Sequence, residues 1–281
     1  MREFKGRVAV ITGGASGIGL ALARRFAAEG MKLVLADVDE PALAAAAAEL
    51  REAGHEVLAH RTDVSKGEEV QALADATVAR FGAAHVLCNN AGVGGFQRFG
   101  TTGAATWDWI VGVNLGGVIH GCRLFLPILE QQEEAHIVNT ASVAGVYSFP
   151  YLHPYNAAKA GIVALSEGIW REFAAEKPHV GVSVLLPGSV DTAIVNDERN
   201  APPGHISRSE ADPGLAELRK MYVAGIAAGK SPAEVADMVL AGIQERRLHI
   251  FTHPEMRALV MQRAEDIVAG KPLRDMFGNA P

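Results

Sequence analysis

Tyr155-Asn156-Ala157-Ala158-Lys159 sets a phenol and an ammonium four residues apart, which is one face of a helix if the segment is helical. A free phenol has a pKa of about 10, and a nearby positive charge favours the phenolate. Tyr155 beside Lys159 can therefore exchange a proton with a substrate oxygen near neutral pH. The plain alternative is a surface tyrosine next to a lysine whose stem snorkels along apolar surface. Three features point away from it. Asn89-Asn90-Ala91-Gly92 follows a fourth strand-like run, Asn114 lies in the helix-period segment after it, and Ser142 lies just past a fifth run. In a parallel sheet those strand ends face one crevice.

A second constellation lies near the N-terminus. The apolar run Val8 to Thr12 leads into Thr12-Gly13-Gly14-Ala15-Ser16-Gly17-Ile18-Gly19, where a helix is expected to begin. Glycines there allow a tight turn and close approach to a pyrophosphate, whose charge is favoured by the N–H groups and dipole of the helix N-terminus. The spacing departs from G-x-G-x-x-G, and turn glycines alone explain many such clusters. The second strand-like run ends at Asp37, 18 residues after Gly19, where a carboxylate can accept hydrogen bonds from both adenosine ribose hydroxyls. Asp37 would repel a 2′-phosphate, and neither Ser16 nor Val38 brings a compensating cation, so NAD is expected in preference to NADP. A solvated aspartate at a strand end is the alternative.

The elements that must position these residues follow from an alternation of short aliphatic runs with longer Ala-rich, helix-period segments. Strands are expected at 8–12, 32–36, 56–60, 86–88, 136–140, 182–186 and 249–251, with helices at 18–29, 41–53, 68–81, 107–130, 155–175 and 232–245. Pro41 and Pro232 suit first-turn positions, Ser231 suits an N-cap, and Gly30, Gly54 and Gly82 suit the residue after a helix. The pattern predicts an α/β, doubly wound Rossmann fold: a seven-stranded parallel sheet with helices on both faces, in a single domain spanning 1–281. Residues 191–230 break the rhythm with Asn196, Asn200, Pro202, Pro203, Gly204, Pro213 and Gly214. They are expected to form a partly helical lid over a ligand site, the alternative being a disordered surface loop. A C-terminal helix is expected at 254–269, with Met256, Leu259, Val260, Arg263 and Ile267 near one side. It would cap the cleft, join a subunit interface or, most simply, pack.

Bulk properties narrow the partners. Of 281 residues, 49% are hydrophobic and 21% charged, as in an ordinary globular protein, and a formal charge of -6 argues against nucleic acid. Two cysteines, Cys88 and Cys122, cannot make a disulfide scaffold, which fits a reducing cytoplasm. No signal-peptide pattern precedes Val8, and no uninterrupted apolar stretch approaches the ~20 residues of a membrane helix, so a soluble, cytoplasmic protein is expected. Among the ten histidines, His249 and His253 lack a partner at metal-ligand spacing and are expected to be structural. His153, two residues before Tyr155, is expected to be a loop residue that can border the substrate pocket.

Taken together, Thr12-Gly-x-x-x-Gly17-x-Gly19, Asp63-Val64, Asn89-Asn90-Ala91-Gly92, Asn114, Ser142, Tyr155-x-x-x-Lys159 and Pro187-Gly188-Ser189-Val190-Asp191-Thr192 resemble the motifs of the short-chain dehydrogenase/reductase family, in order and over nearly the whole chain. The resemblance implies strand order 3-2-1-4-5-6-7 and cofactor contacts from Gly13, Ser16, Gly17, Ile18, Gly19, Asp37, Asp63, Val64, Asn90, Ala91, Gly92, Tyr155, Lys159, Pro187, Gly188, Val190 and Thr192. Asp63 and Val64 would meet the adenine, while Ile18 and Thr192 would hold the nicotinamide end. Catalysis would rest on Tyr155 as general acid/base, Ser142 on the substrate oxygen, Lys159 on the ribose, and Asn114 on a water of the proton relay, with no metal. A homodimer or homotetramer is implied.

Val93, Phe96, Val143, Val146, Phe149, Leu152 and Ile194 are expected to line the pocket and suit a small hydrophobic secondary alcohol or ketone. No convergent arginine pair marks an anionic substrate; Arg199 and Arg208 in the lid are expected to be solvated. Residues 107–118 and Thr252-His253-Pro254-Glu255 look like those of bacterial members that oxidise benzylic alcohols in lignin-derived aryl ethers, a likeness shared by members of other specificity. Two other functions compete: a non-catalytic dinucleotide sensor, against which intact Ser142, Tyr155, Lys159 and Asn114 argue, and an epimerase or dehydratase that recycles bound NAD.

Overall fold

The computed structural model describes residues 1–196, 200–201 and 213–275. Arg199, Pro202, Pro203, Gly204 and Arg208 lie outside the described residues. In chain order the main elements are β1 (Val8–Thr12), α1 (Gly17–Ala28), β2 (Lys32–Asp37), α2 (Glu40–Glu52), β3 (Val57–Arg61), α3 (Gly67–Phe81), β4 (Val86–Asn89), α4 (Ala104–Val111), α5 (Gly117–Leu129), β5 (Ala135–Thr140), α6 (His153–Glu176), β6 (Val180–Leu186), α7 (Pro213–Ala227), α8 (Pro232–Gln244), β7 (His249–Phe251) and α9 (Arg257–Val268).

The seven strands form one sheet in the order β3-β2-β1-β4-β5-β6-β7, every neighbouring pair parallel. Every residue of β1, β5 and β6 is buried, as expected of strands covered on both faces. Side chains alternate between two cores. Ala9, Ile11, Leu33 and Leu35 pack on one face with Leu22 and Phe26 of α1 and Val239 of α8. Val10, Val34 and Ala36 pack on the other with Leu73, Phe125 and Ile162 from α3, α5 and α6. This is the doubly wound Rossmann fold, and the order in which strands are added reverses between β1 and β4, where a crevice opens at the strands' C-terminal ends.

Local signals explain most boundaries. Ser231 caps α8 in a reciprocal box with Glu234, Pro41 and Pro232 sit in first turns, and Gly82 ends α3 at φ +74°. The expected helix over 107–130 is different: α4 ends at Val111, Gly112–Gly116 is a π turn, and α5 follows. Asn114 accounts for the break, because its Nδ2 donates to the Ile110 carbonyl four residues earlier at 2.9 Å. The whole run Ala104–Leu129 is long and apolar enough to cross a membrane by length and composition, although Asp108, Asn114, His120 and Arg123 interrupt its apolar residues. Its apolarity has a core explanation here, since Val118, Cys122, Phe125 and Leu129 are buried against the sheet. The C-terminal helix exposes Ile267 and buries Asp266, so the expected apolar face holds only for Met256, Leu259 and Val260, all partly buried.

Candidate active site

The crevice holds a cavity of about 700 Å³ that runs from Asp37 and Val64 to Tyr155 and α7. At its first end Gly13 and Gly17 take φ of +65° and +52°, conformations that favour glycine. A Cβ on Gly13 would lie 2.8 Å from the Ala91 backbone, so the β1 turn touches the β4 turn directly. Thr12 Oγ1 staples them by accepting from the Asn90 and Ala91 N–H groups at 3.0 and 3.1 Å, while Asn90 Nδ2 donates to the Thr12 carbonyl. The Ser16 side chain does not cap α1, whose first turn carries no acid and lines the cavity. Such a helix end favours an anion.

Asp37 Oδ2 accepts from Ala15 N and Oδ1 from Asp39 N, both at 3.1 Å, which aims the carboxylate at the crevice mouth. Asp63 is held by Ser65, and His120 of α5 reaches the Val64 carbonyl with Nδ1 at 3.0 Å. Among the described lining residues Lys159 is the one Lys or Arg, and it belongs to the opposite end. A positive φ cradle, an uncapped helix N-terminus and an oriented acid fit a dinucleotide.

At that opposite end Lys159, 2% exposed, donates from Nζ to the Thr140 carbonyl at 2.8 Å. Its Nζ lies 5.4 Å from the Tyr155 ring centre. Burial pushes the Tyr155 phenol up to about 12, opposed by its hydrogen bond with Ser142. Burial likewise brings Lys159 down to about 7. The expectation that the ammonium lowers the phenol's pKa is therefore outweighed here by desolvation, which acts on both groups. Ser142 Oγ accepts from Ala144 N at 3.1 Å and donates to the Pro187 carbonyl at 3.3 Å.

Two expected site residues stand behind the wall. Gly19 is absent from the lining, and a Cβ there would lie 2.0 Å from the Gly13 carbonyl oxygen. Asn114, fully buried, accepts from Val93 N and donates to Val93 O and Ile110 O, so its side chain holds the turn after β4. The other expected cofactor residues all line the cavity.

Of the expected pocket residues, Val93, Phe96, Val143, Phe149, Leu152 and Ile194 line it, whereas Val146 packs against the core on the α3, α5 and α6 face. His153 instead meets Phe99 edge-on at 5.5 Å. Met256, named on the C-terminal helix expected to cap the cleft, also lines the cavity, whereas Tyr151 and Trp109, and Leu218, Met221 and Tyr222 of α7, were not named as pocket residues. Phe96 stacks on Tyr222 and tilts against Tyr151, with centroids 5.4 and 5.5 Å apart. Tyr151 holds a left-handed φ of +66°, rare for a bulky residue. The helix period of 215–226 was the available signal for α7; nothing local marks Tyr151. His249 has a carboxylate partner after all, Glu167 of α6 at 3.0 Å, which the sequence separation concealed.

A doubly wound sheet with a glycine-lined crevice at its switch point defines a nucleotide-binding class of fold. Residues 7–203 match the model of the short chain dehydrogenase family, and the chain belongs to that family. It is similar to a short chain dehydrogenase/reductase from Burkholderia phymatum solved in complex with NAD, with TM-score 0.94, 45% identity, and 98% and 99% of the two chains covered. A CLA biosynthesis dehydrogenase/reductase of Lactiplantibacillus plantarum is 32% identical over 95% of each chain. A C alpha-dehydrogenase of Sphingobium sp. is 36% identical over 92% of this chain and 84% of the relative. The protein is thus an oxidoreductase of the short-chain type.

Proposed function

We propose that the protein moves a hydride between NAD and a neutral, hydrophobic secondary alcohol or ketone, with Tyr155 as the proton-transfer group. The observation that carries this is one cavity with Asp37 and the α1 N-terminus at one end and Ser142, Tyr155 and Lys159 at the other. When bound, the nicotinamide supplies the hydride acceptor for a carbinol carbon, or in its reduced form the donor for a carbonyl carbon. Tyr155 takes the proton from the alcohol oxygen in oxidation and returns it to the carbonyl oxygen in reduction. Ser142 holds that oxygen, and Lys159 holds the cofactor ribose and stabilises the phenolate. Asn114 acts by fixing the Val93 turn and by supporting a water in the proton path.

Asp37 without a neighbouring lining cation supports NAD over NADP. Phe96, Tyr151, Tyr222 and Trp109 support an aromatic or otherwise bulky apolar substrate. The likeness to a C alpha-dehydrogenase, with the segments 107–118 and 252–255, makes a benzylic secondary alcohol the first candidate. The two cores on either face of one sheet support a single functional unit, with the described part of 191–230, α7 included, as lid. The exposed Trp170 on α6 supports assembly into a homodimer or homotetramer. Buried free Cys88 and Cys122, their thiols pushed up by burial and Cys122 to about 11, suit a reducing cytoplasm.

Tyr155→Phe is the test. Turnover of benzylic and aliphatic ketones with NADH is expected to fall by at least about 10³-fold while NADH still quenches protein fluorescence. Retained turnover would remove Tyr155 from the chemistry; lost NADH binding would make its role one of cofactor binding.

A further inference from the structure

The turn after β6 carries Pro187, Gly188, Val190 and Thr192 into the cavity wall, and it is held from behind by residues the mechanism does not use. On one side Val190 bridges to Lys230. On the other, the Gly188 N–H donates to Thr252 Oγ1 at 3.2 Å, and Thr252 Oγ1 lies 2.7 Å from His253 Nδ1. The His253 ring is flush against the turn: a Cβ on Gly188 would stand 2.7 Å from Nδ1.

The same peptide unit faces the reacting centre. Its N–H belongs to Gly188 and its C=O to Pro187, and that carbonyl accepts from Val143 N at 2.9 Å and from Ser142 Oγ at 3.3 Å. A continuous chain of hydrogen bonds thus links His253, Thr252, the Pro187–Gly188 peptide and Ser142.

We propose that Thr252 and His253 are positioning residues for Ser142, acting through the Pro187–Gly188 peptide, and that every donor and acceptor in the chain is matched only while His253 is neutral. Thr252 is fully buried and its oxygen accepts from Gly188 N. Its single hydrogen therefore goes to His253 Nδ1, which requires the neutral ring protonated on Nε2. A protonated ring would donate from Nδ1 instead and leave the Thr252 hydrogen without an acceptor among the described residues. The charges facing His253 are Lys230 and Glu234 at the start of α8 and Glu255 in the turn after β7. Burial, then Lys230, holds the imidazole below its ordinary 6.5 against the two carboxylates, consistent with a neutral ring at pH 7. The inference rests on the role of Ser142 proposed above.

Two measurements on the full-length protein test it. In NMR titration of the cofactor-free protein, His253 is expected to titrate below 6.5. Thr252→Val is expected to move that midpoint upward, since it removes the hydrogen bond that favours the neutral ring. An unchanged midpoint overturns the relay.

In kinetics, Thr252→Val should lower kcat/KM about tenfold, the scale of leaving one buried backbone donor without an acceptor, and Thr252→Ser should restore it. Wild-type kcat/KM for ketone reduction, which needs the Tyr155 phenol and so lacks a phenolate limb of its own, should fall as pH drops through the His253 midpoint. His253→Asn, whose Oδ1 is a permanent acceptor and which leaves Thr252 in place, should abolish that limb. A limb that persists in His253→Asn, or a serine that fails to rescue, overturns the proposal. Should Tyr155→Phe keep turnover, the chemistry falls while the NMR arm still decides the relay.

Discussion

At the adenosine end of the cavity the polar wall groups are tied to main chain: Asp37 to Ala15 and Asp39, Thr12 to Asn90 and Ala91. The bonds to Ala15, Asn90 and Ala91 join short turns that leave neighbouring strands. At the substrate end the wall is side chain against side chain, Phe96 on Tyr222 and Tyr151, brought together from the β4 turn, α7 and the approach to α6. Backbone hydrogen bonds set position to a few tenths of an ångström, whereas ring packing sets shape and apolarity and tolerates exchange. The first end is suited to one cofactor and the second to a range of apolar substrates. Between them sit partly buried Ser142 and Tyr155 and buried Lys159, with Ser142 held by the Pro187 carbonyl and Lys159 by that of Thr140.

Changes at the junction should be the costliest. Lys159→Met is expected to reduce kcat by about 10²- to 10³-fold, in keeping with loss of a group that supports proton transfer. If single-turnover rates stayed within a few-fold of wild type, the ammonium would belong to cofactor binding alone. The pH response should be nearly as large. Tyr155 is most basic and least ionised near neutrality, its phenol pushed up to about 12 in the cofactor-free protein. Phenolate therefore rises about tenfold per pH unit below its midpoint, so alcohol oxidation should gain up to about a hundredfold from pH 7 to 9. Ketone reduction, which needs the phenol, should not share that rise. A flat oxidation profile would break the assignment.

At the adenosine end, Asp37→Ala is expected to weaken NADH binding about tenfold to a hundredfold, the scale of hydrogen bonds to a charged group, and to narrow the preference over NADPH. Fluorescence titration with both nucleotides reads this, and an unaltered ratio would show that Asp37 does not select. The smallest effect belongs to the aromatic end. Phe96→Leu should raise KM for an aryl ketone about two- to tenfold and leave kcat near wild type, because it removes ring stacking without a charge or backbone tie. An equal loss in kcat would mean that the aromatic wall also orients the reacting carbon, and the contrast between the two ends would shrink.

The seven strands and the glycine turn after β1 were legible because each depends on local pattern, whereas the strand order followed from the family resemblance. Aliphatic runs make buried parallel strands, and a glycine loop between strand and helix has few other uses. The same locality explains the errors. A 3.6-residue period over 107–130 does not reveal that Asn114 will take the Ile110 carbonyl and open a π turn. Gly19 belongs to the glycine cluster, yet only its packing against Gly13 shows that it faces away from the cavity. His249 looked partnerless because Glu167 stands 82 positions away in sequence.

By itself the sequence determined the doubly wound sheet, the family, and the placing of Tyr155 and Lys159 four residues apart on α6. These follow from periodicity and from spacing within one element. Only the tertiary structure decided which side chains close the cavity, how far desolvation opposes the Tyr155–Lys159 pairing, and that Thr252 and His253 stand behind the Pro187–Gly188 peptide. Those are properties of burial and of contacts between distant segments, and no local window of residues encodes them.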